Sequence, residues 1–450
     1  MKISTLIKIL FTIYCFATLS FFQPLGLITP ETAKAVSYLF MMAIYGLAFM
    51  CDSDDGLLHH RQFNKPLKWL LVLMVISIFM PTITRTEQSL MQTAVASIPY
   101  LSYGLYFALR KFNIEWRFFL RLTIAMAVMA LLTHLINLHY FPNTIFGTPA
   151  EEYDTDRGGL RLIILGFNYV VLLFFIAASQ IKYNKGNRWW LVLIASYLLI
   201  VFSYTRQHIV ACSVLGLIII VSKMRNIVGR IVLILAICSC ALVIVPRMDM
   251  FQKMINLTIE QQEHNEFYNR ENVRIMAAKY YGWEGFDNDA NRIFGHGVPS
   301  YTSKWGSEIK NMADLEHIYM ADVGWFGLNW QFGILAVIAM MVVCYKAVSR
   351  KNSYSTAGRY YFIWLFATGF MSGSLLYQYE IVVTVIALCM IDYQNENKLL
   401  KYEDGHCHTQ LQQRNGHNRL SALALCHYSS REDACYCCGQ WLTKRGCRGA

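Results

Sequence analysis

Long apolar runs recur along the whole chain of 450 residues, separated by short polar stretches. A helix needs about 20 predominantly apolar residues to cross the ~30 Å hydrocarbon core of a bilayer, and most of these runs approach that length. The pattern predicts an all-α polytopic membrane protein with about 12 transmembrane helices. The predicted spans are 4–22, 35–50, 67–83, 93–109, 118–137, 162–181, 188–203, 208–222, 229–246, 324–345, 360–376 and 380–393.

Two polar stretches between spans are long enough to carry function, at 138–161 and 247–323. Loops of the second size are usually functional in compact domains. Part of it has helical spacing of apolar residues, and the following "GWEGFDNDANRIFGHGVPSY" predicts turns. We therefore divide the chain into spans 1–9 (1–246), a large loop (247–323), spans 10–12 (324–394) and a polar tail rich in Cys and His (395–450).

Composition and charge agree with this organisation. The chain is 55% hydrophobic and 15% charged, and its mean hydropathy is +0.34. Lys and Arg concentrate in the short cytoplasmic loops of membrane proteins. The five short connections predicted to be inner hold sixteen basic residues and the outer ones hold five, so both termini are predicted to be cytoplasmic. The net charge of +11 is dispersed over inner loops, which argues against nucleic acid as a partner.

Metal ligation is not predicted. The tail contains one compact cysteine cluster, at Cys435, Cys437 and Cys438, whereas a structural zinc site usually shows two separated ligand pairs. The pairs Asp154/Asp156 and Asp287/Asp289 are short patterns that occur by chance in turns. No cofactor-binding motif is present in the sequence.

Several cations lie on the predicted outer side, where topology requires few. Arg161 precedes span six, Arg206 occupies the tight turn before span eight, and Arg274 lies in the large loop. The planar arginine fork binds phosphate oxygens in a bidentate manner and stays charged. Each arginine could instead pair with a carboxylate, although Arg206 has no acidic residue near it in sequence.

His317 stands where the large loop enters span ten, in "LEHIYMADVGWFGLNW". A neutral imidazole can accept a proton near neutral pH, so His317 is the candidate general base. The alternative is an interfacial histidine that bonds a neighbouring backbone carbonyl. For Asp322 we keep two readings, orientation of the loop and capping of the following helix.

The order of these motifs resembles the bacterial O-antigen polymerase and ligase superfamily. The corresponding segments are "SYTRQHIV", "FGHGVPS" with Gly295 and Gly297, and "EHIYMADVGWFGL" with His317 and Asp322. The resemblance covers roughly 160–345. It departs from the family pattern at Thr205 to Gln207, where Ser-Arg-Gly is usual, and at Ile318, where Asn is common.

The resemblance implies an all-helical, metal-independent glycosyltransferase of the GT-C type in the bacterial inner membrane, with no cofactor. Its implied substrate is a polyprenyl-diphosphate-linked oligosaccharide, and loop 247–323 would be periplasmic. Arg206 and Arg274 would bind the diphosphate, with Arg161 as a weaker contact, and His317 would be catalytic. The expected function is polysaccharide polymerase, with a chain-length regulator as a candidate partner. An O-antigen ligase with a lipid A-core acceptor and a transporter of polyanionic lipid-linked glycans stay open as alternatives.

Overall fold

The structure, a computed structural model, describes most of the chain up to residue 395. The described residues are 3–19, 29–51, 62–84, 87–141, 145–146, 162–183, 186–222, 226, 228–230, 252–253, 256, 273–349 and 355–395. Arg161, most of the predicted ninth span and the tail from 396 lie outside them. Residues 1–395 form one compact unit, to which all the helices below belong.

Over these residues the chain is helical and contains no strand, which confirms the all-α prediction. The helices are α1 Ile3–Thr18, α2 Pro30–Met50, α3 Asn64–Thr84, α4 Leu90–Ser97, α5 Leu105–Lys111, α6 Trp116–His139, α7 Phe167–Lys182, α8 Arg188–Val201, α9 Arg206–Val221, α10 Val273–Lys279, α11 Asp289–Phe294, α12 Lys304–Glu316, α13 Gly324–Val348, α14 Thr356–Thr368 and α15 over 378–395. A 3₁₀ segment, Ile98–Gly104, joins α4 to α5.

Apolar helices make this a membrane protein. Within the described part of the chain, four segments are long and apolar enough to cross a bilayer, namely Thr32–Met50, Asn64–Thr84, Trp116–His139 and Gly324–Val348. Four shorter apolar helices, α1, α7, α8 and α9, accompany them. The number of crossings stays a prediction.

Helix α7 lies at the centre of the packing. Nearly every residue from Asn168 to Ile181 is buried, with no solvent-facing stripe. A helix that is apolar all round belongs inside a protein or a bilayer, and α7 contacts α6, α8, α9 and α14. It therefore supports the other helices from within.

Hydrogen bonds between different segments of the chain lie near both ends of α13. Near its start, the hydroxyl of Tyr281 donates to the carbonyl oxygen of Ile318 at 3.0 Å. Near its finish, Nζ of Lys346 donates to the carbonyl oxygen of Gln62 at 2.8 Å. We call the end near Tyr281 the site end and the end near Lys346 the opposite end. Helix α13 has 25 residues, which corresponds to about 37 Å at the usual rise per residue.

Helix α13 is interrupted at Gly333, whose φ of +78° and ψ of 171° are not helical. The extended, buried segment Gly295–Pro299 of the large loop crosses the helix there. Its backbone N–H groups at His296 and Gly297 donate to the carbonyl oxygens of Trp330 and Gln331, at 2.8 and 2.9 Å. Backbone polar groups at membrane depth must be paired within the protein, and the crossing segment pairs those that the break releases.

A single amide fastens the next part of the loop. The buried side chain of Gln88, from the connection between α3 and α4, donates to the carbonyl oxygen of Val298 at 2.9 Å. Its Oε1 accepts from the backbone N–H of Ser300 and from the hydroxyl of Ser303, both at 2.8 Å. The nearby ion pair of Lys304 with Glu87, at 3.0 Å, joins the same two segments. The large loop is therefore tied to the membrane helices at the site end.

Candidate functional site

His317 ends helix α12 in a left-handed conformation, with φ +55° and ψ 28°. The following N–H, of Ile318, donates to the carbonyl oxygen of Ala313 at 3.1 Å, which completes a Schellman motif. Glycine usually occupies this position because any side chain there is strained by about 1 kcal/mol. His317 is exposed, so the strained residue presents its imidazole at the surface of the molecule.

Packing holds the backbone of the residue after His317. The side chain of Ile318 is buried with Tyr281, Trp305 and Trp330 in a small apolar cluster, which we call the loop core. Burial raises the pKa of the Tyr281 hydroxyl above its ordinary value, so it remains a proton donor to the Ile318 carbonyl. The position of His317 therefore follows from the loop core and not from its own side chain.

Arg206 is the first residue of α9 and is half-buried. Tyr204, two residues before Arg206, has a φ of +50°. In the described part of the chain, three residues other than glycine have this left-handed conformation, namely Asn113, Tyr204 and His317. The N-cap Thr205 provides no side-chain hydrogen bond to the helix. Strained residues cluster at functional sites, and of these three His317 is a predicted site residue and Tyr204 lies two residues before Arg206.

One loop, residues 369–377, lies between the starts of α9 and α13. The side chain of Gln207 donates to the carbonyl oxygen of Met371 at 3.0 Å. The next residue, Ser372, is so close to α13 that a Cβ added at Gly324 would lie 2.2 Å from its carbonyl oxygen. The helix that begins with Arg206 and the helix that follows His317 therefore both contact loop 369–377.

Arg274 is exposed on the short helix α10. This helix contacts the 3₁₀ turn Met320–Asp322, and it continues into a π turn that packs on α13. The side chains of Asn329 and Trp330 donate to the carbonyl oxygens of Gly282 and Gly285, each at 3.3 Å. The elements that carry Arg274 and His317 thus meet at the first turns of α13, and the helix of Arg206 reaches them through loop 369–377.

Asp322 does not cap α13, which corrects one of the two readings of this residue. The N-cap position is occupied by Val323, which makes no side-chain capping bond. Asp322 instead ends the Met320–Asp322 turn, and like Arg206 and Arg274 it is engaged with other residues of the chain. Neither N-cap residue, Thr205 of α9 or Val323 of α13, provides a side-chain cap, and in α13 the N–H of Trp325 donates instead to the carbonyl oxygen of Gly369 at 3.0 Å. Helix N-termini of this kind carry a partial positive charge and attract anions.

His296 is a residue whose role the sequence does not reveal. Its side chain is fully buried, and its ring stacks between those of Phe286 and Trp330, at centroid distances of 5.3 and 4.6 Å. Nδ1 lies 3.3 Å from the carbonyl oxygen of Trp330, and Nε2 lies 3.4 Å from Oδ2 of Asp287. The sequence signal was a histidine between two glycines in a predicted turn. Asp287 of the pair Asp287/Asp289 therefore faces His296. Asp289 pairs with the exposed Arg292 at 3.4 Å.

Glu380 is a second residue that sequence reasoning missed. It belongs to the first turn of α15, directly after loop 369–377, and bonds the side chain of Ser374. Ser374 in turn bonds Ser372 at 3.1 Å. The Oε2 atom of Glu380 is buried and has no hydrogen-bond partner among the residues that the structure describes. The detectable signal was a carboxylate at the edge of an apolar run, where charge is costly.

No model of a known protein family matches this chain, and a search of curated proteins found no similar sequence. The chemistry assigned to the site therefore rests on its residues and their geometry.

Proposed function

We propose that this protein is a polysaccharide polymerase of the bacterial inner membrane, an all-helical glycosyltransferase with twelve spans and cytoplasmic termini. It transfers a polyprenyl-diphosphate-linked glycan onto a lipid-linked repeat unit at the periplasmic face. The observation that carries the proposal is that loop 369–377 contacts both the start of α9, where Arg206 lies, and the start of α13, which follows His317, while α10 with Arg274 contacts the turn Met320–Asp322. Cationic side chains and helix N-termini together suit a diphosphate.

The reaction needs a base and stabilisation of a leaving group. The acceptor hydroxyl attacks the anomeric carbon, its proton passes to the neutral imidazole of His317, and the new glycosidic C–O bond forms. The bond from the anomeric carbon to the diphosphate oxygen breaks, and the electron pair leaves with the polyprenyl diphosphate. Arg206 and Arg274 stabilise the charge that develops on this group, which is where most catalysis is expected.

The proposed span order is supported by contacts at both ends of the bundle. Segments assigned to the outer side contact one another, as Gln88 does with Val298 and Gln207 with Met371. Segments assigned to the inner side do the same, as Lys346 does with Gln62, and Tyr183 with Thr356 at 2.9 Å. A wrong alternation of spans would mix these two sets.

The break in α13 gives the transporter alternative its one specific observation, because transporters bind cargo at discontinuous helices. Here the break is filled by protein. The extended segment Gly295–Pro299 occupies it, and the carbonyls of Trp330 and Gln331 are paired with that segment. A plugged break is a poor pathway for a polyanionic glycan, so we prefer the enzyme.

Deletion of the gene, followed by electrophoresis of the surface glycan, separates the two enzyme readings. A polymerase mutant loses long chains but keeps single repeat units attached to the lipid A-core. A ligase mutant has a bare core and accumulates long lipid-linked chains. Either pattern supports transfer from a lipid-linked donor, whereas a bare core with single lipid-linked repeats retained on the cytoplasmic side would favour a transporter.

Complementation then tests the site. Arg206→Ala and His317→Ala should fail to restore long chains, while the matched controls Arg292→Ala and His139→Ala should restore them. Arg292 and His139 are exposed, and both are predicted to lie on the outer side. Full chain length with both site variants would refute the mechanism.

A further inference from the structure

A concave feature lies away from the candidate functional site. It is a groove of about 740 Å³ between α2, α3 and the segment formed by the 3₁₀ turn and α5. Gly104 and Ala108, four residues apart and therefore on one face, are among its lining residues. A Cβ at Gly104 would lie 2.6 Å from the hydroxyl of Tyr45, so glycine at this position lets Tyr45 pack closely against the wall of the groove.

The rest of the lining is mostly apolar. Leu71, Val75 and Leu101 contribute to it, and Val75 is 44% exposed. Within a membrane domain, apolar surface of this kind faces acyl chains and not water. The volume also falls within the range of ordinary ligand pockets, roughly 300–1,000 Å³.

Two cations lie in the same lining. Lys68 comes from the second turn of α3, and Lys111 is the last residue of α5. The described lining contains no Asp or Glu to neutralise them. Basic residues in a cleft between transmembrane helices favour the headgroups of anionic lipids.

The groove is separate from the candidate functional site. Gln62, two residues before α3, binds Lys346 in the last turn of α13, whereas the candidate site surrounds the first turns of that helix. A ligand in the groove therefore cannot be the diphosphate held near Arg206. The inference does not depend on the proposed function.

We infer that this groove binds an anionic phospholipid, with an acyl chain on Leu71, Val75 and Leu101 and the phosphate at Lys68 and Lys111. An amphiphile matches both features of the groove. A neutral lipid would leave two lysines facing an uncharged headgroup, and free phosphate would leave the apolar surface unused.

The test uses the full chain reconstituted in vesicles of equal phosphatidylglycerol and phosphatidylcholine, then extracted gently for native mass spectrometry. The wild-type protein should retain phosphatidylglycerol over phosphatidylcholine by about tenfold, since each lysine near an anionic headgroup favours binding several-fold. The double variant Lys68→Gln/Lys111→Gln should reduce this ratio to about one. The matched control Lys65→Gln/Arg117→Gln removes two exposed cations outside the lining and should leave the ratio unchanged.

A further variant tests the apolar part and keeps both lysines. Ala48→Trp places a large ring in the lining, and retention of both lipids should fall several-fold. Equal retention of the two lipids by the wild type, or a ratio that survives both Lys68→Gln/Lys111→Gln and Ala48→Trp, would overturn the inference. Absence of any retained lipid would mean that residues of the chain itself fill the groove, and would overturn it as well.

Discussion

Two histidines of the large loop approach the same helix in opposite ways. His317 is exposed, its backbone is left-handed, and its ring projects from the end of α12. His296 is buried, its ring is stacked between two aromatic rings, and both ring nitrogens face acceptor oxygens. Residue type alone does not separate them. The comparison teaches that burial and backbone conformation decide which histidine can meet a substrate.

The segments around the two histidines also differ in how they contact α13. Near His296, glycines allow backbone segments to touch, and the released carbonyls are paired across the break in α13. Near His317, helix α13 starts without a side-chain cap, and the turn Met320–Asp322 contacts the helix that carries Arg274. We therefore expect substitutions around His296 to change stability and substitutions around His317 to change activity.

The largest effect should come from Gly333→Ala at the break. A Cβ there would lie 2.1 Å from the carbonyl oxygen of Ile293, and φ is +78°, so both sterics and strain oppose it. We expect a loss of about 3 kcal/mol or more in the free energy of unfolding, measured by thermal denaturation in micelles. Gly46→Ala in α2, where nothing lies within 4 Å, is the control. An unchanged melting temperature for Gly333→Ala would contradict the plugged break.

The next largest effect is expected at Arg206, on activity and not on stability. Loss of one group that stabilises a leaving diphosphate should slow transfer by about 10²-fold, measured as glycan transfer from lipid-linked donor in vesicles. Arg206→Lys should recover only part of the rate because it lacks the bidentate fork. If Arg206→Ala lowers the melting temperature and leaves the rate intact, the arginine is structural.

Gln88→Met should give an intermediate loss of stability. The thioether keeps the length of the side chain but removes the amide that bonds Val298, Ser300 and Ser303. Leaving these buried groups unpaired should cost about 2 kcal/mol. Faster hydrogen exchange at the Ser300 N–H would locate the effect, and unchanged exchange there would show that the amide does not fasten the loop.

The smallest and sharpest effect concerns His317→Gly. Glycine adopts the left-handed cap without strain, so the variant should be more stable by about 0.5–1 kcal/mol in thermal denaturation. His317→Ala keeps the strain and should gain nothing. Both variants should lose transfer activity if the imidazole is the base. A stabilised His317→Gly enzyme with full activity would reduce the residue to a helix cap.

The all-helical character of the described residues could be predicted from the sequence. Apolar runs of helical length, separated by polar turns, indicate which segments are buried in the bilayer. A segment buried there must pair its own backbone groups, and a helix does so. The sequence also pointed to Arg206 and His317, because cations and imidazoles at the rim of apolar runs are costly without a role. The assignment of a reaction to them is still a proposal.

Tertiary structure alone decided which segments meet. Loop 369–377 contacts both α9 and α13. The segment Gly295–Pro299 crosses the break in α13 at Gly333, which is 38 residues after Gly295 in the chain. It also decided that His296 is buried while His317 is exposed, and that Val323 and not Asp322 holds the cap position of α13. A hydrophobic pattern records whether a residue is buried but not its partner. Contacts between distant segments depend on backbone approach and strain, which no local pattern contains.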